Sequence, residues 1–490
     1  MPKEKARFCY RCQRGHCYNV ENDQAGLLDR EKKGGIKKMA NQAKTRDPYR
    51  LTAVKQLGWS GRGVSLASNV TVLGYLTYYC TNMLGMDPIL VGTLLMASKL
   101  FDGVTDLMAG VIIDKTNTKW GKARPYEFAI FGVWITTILM FSCPDLGTVG
   151  KGIWIFVTYT FVNSIFATLL NTTESVYLVR AFKYDDDRNK LVSINGLLIT
   201  IFCAVISIIF PIMMGTLGTT KGGWTVMLMI TGIPLALIGF SRFLLVKEVN
   251  DTVVTVSNNL KVRDFLPALK NKYVWLLIGI TILVNLINNG NTAVGTYYFD
   301  YIVGDVEAMS TVGMLSLVTP FLLLFMPKIL QKISITQLFT VFFAIGAVGS
   351  IMRALAGANM VLIMISSFLV LCAVLPPVYF TLILLTYIMD YHEWKSGTRV
   401  EGAISAVNSF SSKLASGLSS GGVGLIMGLA GFDGTAEVIT SSARASIIAL
   451  YGWVPAAFFV LMLVILRFFD LEKRMPQIRT ELAERRAQNQ

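Results

Sequence analysis

The sequence predicts an all-α integral membrane protein whose twelve transmembrane helices form two six-helix halves. Three observations carry this expectation. Of 490 residues, 53% are hydrophobic and only 16% charged, and mean hydropathy is +0.53, whereas soluble domains carry about 25% charged residues. Twelve apolar runs lie near 58–84, 88–112, 126–143, 152–176, 191–217, 224–246, 273–298, 310–327, 337–356, 359–388, 403–431 and 446–469. Most reach the roughly 20 residues that cross about 30 Å of hydrocarbon. Finally, the longest internal connection, 247–272, divides the runs six and six. Such a division places a binding site at midplane between halves related by an axis along the membrane normal. Repetition between the halves is too weak to align from the sequence.

The organisation that follows is a polar extension (1–50), a first half (51–246), a central cytoplasmic loop (247–272), a second half (273–469) and a charged tail (470–490). The formal charge of +14 does not point to nucleic acid, because the basic residues sit in short loops between apolar runs. Loops after even-numbered helices hold 17 of these Lys and Arg residues, and loops after odd-numbered helices hold 3. That bias predicts a multi-pass protein of the plasma (inner) membrane with both termini cytoplasmic. The first fifty residues contain no apolar signal segment, so the first membrane helix is expected to direct insertion.

The extension itself is expected to be disordered. Its Cys9, Cys12, His16 and Cys17 supply ligand types for one tetrahedral zinc. No second paired knuckle or small core follows them, so the non-metal reading is preferred. Cys80, Cys143, Cys203 and Cys372 are scattered through apolar runs and read as small hydrophobes, not as a disulfide framework.

The chemistry is concentrated in the second run, KLFDGVTDLMAGVIIDKTNTKWGKARP. Asp102 and Asp106, four residues apart, share a helix face, with Lys99 three residues earlier. Each charge at a helix centre costs roughly 2.5–3.5 kcal/mol on insertion scales, so it persists only against protein, water or an ion. Two close carboxylates can hold a cation or share and release a proton, since like charges raise one pKa. The alternative is static pairing with Lys99 or a basic residue of another helix. With two histidines and no nucleophile–base arrangement, an enzyme is not expected, and without a G-x4-GK[ST] loop neither is an ATP-driven pump.

FDGVTD followed by DKTNTKWGKARP resembles the second helix and following loop of the glycoside–pentoside–hexuronide:cation symporters, the melibiose-carrier-like branch of the major facilitator superfamily. MDYHEWKSGTRVEG, between the tenth and eleventh runs, resembles that family's second signature. The likeness extends over roughly residues 50–475. It implies the major facilitator fold, alternating access, a monomer, and uptake of a sugar or glycoside with Na+, Li+ or H+, without a cofactor. It further implies a cation site at Asp102, Thr105, Asp106 and Thr168, with Asn171 where the melibiose carrier has an acid. An Asn carbonyl still suits a hard cation, with one negative charge fewer. The galactoside clasp of that carrier falls on Leu66, Ser175 and Gly196 and is missing, which puts galactoside recognition in doubt.

Other polar groups on apolar runs are candidates for substrate or coupling roles. Glu174, beside Ser175, is placed either in the substrate or proton path or in a structural salt bridge. Asn288 and Asn291 share a helix face expected to line a cavity or to bond a neighbouring helix. Lys413 lies at a position the family links to the cation and sugar sites, where an ammonium can pair with Asp102 or Asp106 when no ion is bound. Asp114, Arg124, Asp390, Glu393, Lys395 and Arg399 form a candidate cytoplasmic gate between the halves. His392 reads as a surface residue. The expected function is cation-coupled symport of a sugar, glycoside or uronide, the partners being that small molecule, the cation and membrane lipid. The alternatives are a same-fold carrier of an amphiphile such as a lysolipid, or a transporter-like membrane sensor.

Overall fold

The structure is a computed structural model and describes residues 11–13, 16–18, 50–116, 118–248, 271–330, 332–396, 401–436 and 438–488. Among the described residues, twelve helical stretches occupy the apolar runs. In the first half they are α1 (Ala53–Leu73, continued by Leu76–Tyr78 and a π-helical turn Tyr79–Met83), α2 (Pro88–Lys115), α3 (Ala129–Met140), α4 (Thr148–Ala181), α5 (Asp185–Leu217) and α6 (Lys221–Leu245). The second half holds α7 (Lys272–Val303, ending in the π turn Phe299–Val303), α8 (Met309–Leu315 to Thr319–Leu330), α9 (Ile335–Leu355), α10 (Met360–Ser396), α11 (Glu401–Leu429) and α12 (Ser441–Ile448 to Val454–Arg467). Among the described residues, seven helical spans are long and apolar enough to cross a membrane. The tail forms a helix, α13 (Leu471–Gln488). It is tied down by Trp394 Nε1 donating to Glu481 at 2.5 Å and by Glu472 accepting the first backbone N–H groups of α9.

The extension differs from expectation in one respect. Arg11–Gln13 pairs with His16–Tyr18 as an antiparallel hairpin, with Cys12 opposite Cys17. Of the candidate zinc ligands, Cys9 lies outside the described residues, and so do the side chains of Cys12, His16 and Cys17.

Loops after odd-numbered helices gather at one end of the bundle, here the odd-loop end, where the halves meet in a reciprocal clasp. The chain reads Thr77-Tyr78-Tyr79-Cys80-Thr81-Asn82 at the end of α1 and Thr296-Tyr297-Tyr298-Phe299-Asp300-Tyr301 at the end of α7. Each stretch passes into a π turn and stops at a left-handed glycine, Gly85 (φ 63°) and Gly304 (φ 82°), a conformation only glycine adopts cheaply. Tyr78 Oη donates to Asp300 at 2.7 Å, and Tyr297 Oη meets Thr81 Oγ1, the counterpart of Asp300, at 2.7 Å. On the axis between them, Asn82 donates to its own counterpart Tyr301 at 2.7 Å, and the Tyr78 and Tyr297 rings pack edge to face at 5.4 Å.

The same end is tightened where α2 crosses α11. A Cβ on Gly424 would run into the Pro88 carbonyl, and one on Gly92 would stand 3.0 Å from the Gly421 carbonyl oxygen. Small residues thus let two helices of opposite halves approach backbone to backbone.

Tyr78→Phe is expected to leave Asp300 without its donor and to cost about 1–2 kcal/mol. Native Cys80, fully buried behind the clasp, should then be alkylated faster, as followed by peptide mass spectrometry. An unchanged rate would show that this hydrogen bond does not hold the end shut.

Candidate cation and substrate site

The two carboxylates of α2 face α4 at a point where α4 is π-helical, Phe161–Ala167. The wider turn sets Asn163 and Ser164 toward α2 just before Thr168 resumes the α-helix; π turns inside α-helices recur at functional sites. Each carboxylate receives one hydroxyl and one ammonium. Asp102, buried, accepts a short hydrogen bond from Ser164 and lies 3.4 Å from Lys99 Nζ. Asp106 accepts from Thr168 Oγ1 at 3.2 Å and pairs with Lys413 of α11, from the opposite half. Lys99 also donates to Asn163 Oδ1 at 2.9 Å and sits over the Tyr159 ring. Two carboxylates with hydroxyl oxygens around them form a donor set suited to a hard cation.

The expected residues divide accordingly. Lys99, Asp102, Asp106, Thr168 and Lys413 come together. Thr105 does not join them, because its hydroxyl donates back to the carbonyls of Phe101 and Asp102 on its own helix. Asn171, one turn beyond Thr168, is exposed and bonds neither carboxylate. Asn163 and Ser164 were not expected. Their only signal is two polar residues in an apolar run, facing α2 because of a π turn that residue spacing does not announce.

Glu174 belongs to a different cluster, and the salt-bridge alternative stated for it is the one observed. Arg62 of α1 pairs with Glu174 and, at 2.8 Å, with Glu127 before α3. Arg242 of α6 lies 2.6 Å from Glu174 and donates to the Trp59 carbonyl at 2.7 Å. Both arginines are buried, and the cluster ties four helices of the first half together. Ser175, next to it, is exposed.

A cavity of about 520 Å³ lies between the halves, lined by Thr71 and Tyr75 of α1, Thr200 and Ser207 of α5, and Asn288 and Asn291 of α7. Asn288 and Asn291 therefore line a cavity, as their shared face suggests. Arg353 of α9, which no sequence argument singled out, lines it too and donates to Asn291 Oδ1 at 2.8 Å. It stands at the end of an apolar run, where a basic residue ordinarily reaches water, so spacing does not single it out.

Of the gate candidates, Arg124 donates to the Phe243 carbonyl of its own half at 2.7 Å and Asp390 pairs with Arg479 of the tail at 3.7 Å. Glu393 is half-buried and Lys395 exposed at the end of α10; Arg399 and the Asp114 side chain lie outside the described residues. His392 is buried, not a surface residue, and its Nε2 has no hydrogen-bond partner.

A profile of the family described as MFS/sugar transport protein matches residues 61–473. The chain belongs to this family. It is the glycoside–pentoside–hexuronide:cation symporter family that the two loop motifs resemble, so this sugar-transport family member is a transporter and not an enzyme. The isoprimeverose transporter of Lactiplantibacillus pentosus is 26% identical over 433 residues, covering 84% of this chain and 88% of that protein. The glucuronide carrier protein homolog of Escherichia coli (strain K12) is 23% identical over 427 residues, covering 84% and 91%. Among solved structures, the transporter shares its fold with the nucleoside transporter NupG (TM-score 0.59, 15% identity, 84% of this chain and 99% of that one). It also shares it with a D-xylose–proton symporter (TM-score 0.57, 13% identity, covering 84% and 95%).

Proposed function

We propose that the protein imports a sugar, glycoside or uronide in symport with a cation bound at Asp102 and Asp106. The observation that carries this reading is the Lys413–Asp106 pair, because it joins the cation site to the opposite half. A Na+ or Li+ ion entering between the carboxylates displaces that ammonium; a proton on Asp106 has the same effect. Ion binding thereby loosens one contact between α2 and α11, and substrate in the cavity completes the change that lets the halves rock. The charge bias of the loops supports a cytoplasmic position for the even-loop end. The clasped odd-loop end then faces outward, and the arrangement supports an inward-open state in which Arg124 bonds within the first half and Asp390 pairs with the tail. The names of relatives, an isoprimeverose transporter and a glucuronide carrier homolog, support a sugar as substrate.

Uptake of labelled sugars and glycosides into proteoliposomes, under an imposed Na+, Li+ or proton gradient, tests the proposal. Accumulation above the external concentration is expected with one of the three ions and collapses when that gradient is dissipated. Equilibration without accumulation under every gradient would refute coupling, and absence of uptake of any sugar would refute the substrate class.

A further inference from the structure

Four cations of the membrane-spanning helices meet acids among the described residues, with Lys413, Asp106 and Glu174 each more than a third exposed. Lys99 has Asp102 at 3.4 Å, Lys413 has Asp106, Arg62 has Glu127 at 2.8 Å, and Arg242 has Glu174 at 2.6 Å. Arg353 departs from this rule. It is 3% exposed, lines the central cavity, and has no carboxylate partner among the described residues.

Its contacts orient the guanidinium without neutralising it. Nη1 donates to the Asn291 amide oxygen at 2.8 Å. The guanidinium carbon lies 4.3 Å from the centre of the Tyr451 ring, and Nε makes no hydrogen bond. Guanidinium groups remain charged. A buried, unpaired one is strongly unfavourable until an anion meets it. The two amino groups, of which only Nη1 is engaged by Asn291, keep N–H hydrogens that suit a planar carboxylate bound through two N–H···O bonds. A cavity of about 520 Å³ is within the roughly 300–1,000 Å³ typical of small-molecule sites.

We propose that Arg353 is the anion-recognition residue of the cavity and that the sugar carried by this protein bears a carboxylate. The inference rests on the cavity being the sugar path of the proposed symport. Asn291 and Tyr451 act as positioning residues that hold the fork toward the cavity. Asn288 and Thr200, also on the cavity wall, supply neutral donors and acceptors for hydroxyl groups. The bound acid completes the charge pairing that the rest of the protein makes internally.

The test uses the purified full chain and a matched pair of probes, methyl β-glucuronide and methyl β-glucoside, measured by binding and by uptake in proteoliposomes. The wild type is expected to prefer the glucuronide by at least tenfold. Arg353→Gln should lose at least tenfold in glucuronide affinity, a larger loss than for the glucoside, while Arg353→Lys, with charge but no fork, should fall between. Equal affinity of the wild type for both probes, or a preference that survives in Arg353→Gln, would overturn the inference. The wild-type ratio and the Lys variant decide the matter even if the Gln variant does not fold. Gradient-driven uptake of the glucoside alone would overturn this inference and leave symport standing. A protein that accumulates no sugar at all would instead overturn the functional proposal beneath it.

Discussion

Asp106→Asn is expected to abolish gradient-driven accumulation, reducing the internal-to-external substrate ratio to one. The substitution removes half of the negative charge available to the ion and leaves Lys413 facing a neutral amide. Asp102→Asn should give the same loss, since Ser164 and Lys99 then surround a neutral amide that brings no negative charge to a cation and cannot release a proton. Stability should respond far less than transport. More than a third of each side chain in the Lys413–Asp106 pair is exposed, so its loss costs about 1 kcal/mol, well below the roughly 3–5 kcal/mol of a fully buried pair. Pairing Asp106→Asn with Lys413→Met should restore thermal stability without restoring accumulation. The proteoliposome assay reads both variants directly, and accumulation that persists in either would remove that carboxylate from the coupling mechanism.

Glu127→Gln should be the most destabilising conservative change in the first half. Glu127 is fully buried between Arg62 and Arg242, at 2.8 Å and 4.0 Å, and both arginines are also buried. Removing its charge leaves two guanidinium groups to share Glu174 alone. Breaking such a buried network from one side costs about 3–5 kcal/mol, because the remaining charges are stranded. Glu174→Gln should cost less, as 39% of the Glu174 side chain is exposed and water can take over. Replacing Arg62 and Glu127 together by leucine should cost less than Glu127→Gln, since it removes a cation with its acid. Thermal unfolding in detergent ranks the three. A loss below about 1 kcal/mol for Glu127→Gln would mean that the cluster is solvated and does not staple the helices.

The helices themselves were legible because hydrocarbon thickness imposes a run length that polar segments cannot imitate. Their ends were less so. α5 begins at Asp185 and α10 continues to Ser396, beyond the apolar runs near 191–217 and 359–388, because backbone hydrogen bonding continues into water after the lipid ends. Asp102, Asp106 and Lys413 could be found since a charge in lipid demands a reason. Ser164 and Asn163 could not, because a π turn, not their spacing, brings them to α2. Arg62 and Arg242 were hidden differently, each near the end of its run, where a basic residue ordinarily reaches water. Thr105 and Asn171 were expected from the family pattern alone, and local geometry turns one hydroxyl onto its own backbone and leaves the other side chain outside the cluster.

The clasp at the odd-loop end has the form of an isologous interface, in which residue i of one subunit meets j of its twin and j meets i. In an assembly of identical subunits, every side chain on such an interface is present twice. A carboxylate added on one arm would appear on the other, and two acids would approach each other across the axis. Joining the halves in one chain removes that restriction. Thr81 and Asp300 occupy equivalent places, yet only one carries an acid, so Tyr78 and Tyr297 make bonds of the same geometry to partners of different charge. Asymmetry in a single chain thus lets one arm of the closure respond to protons or ions while the other stays inert.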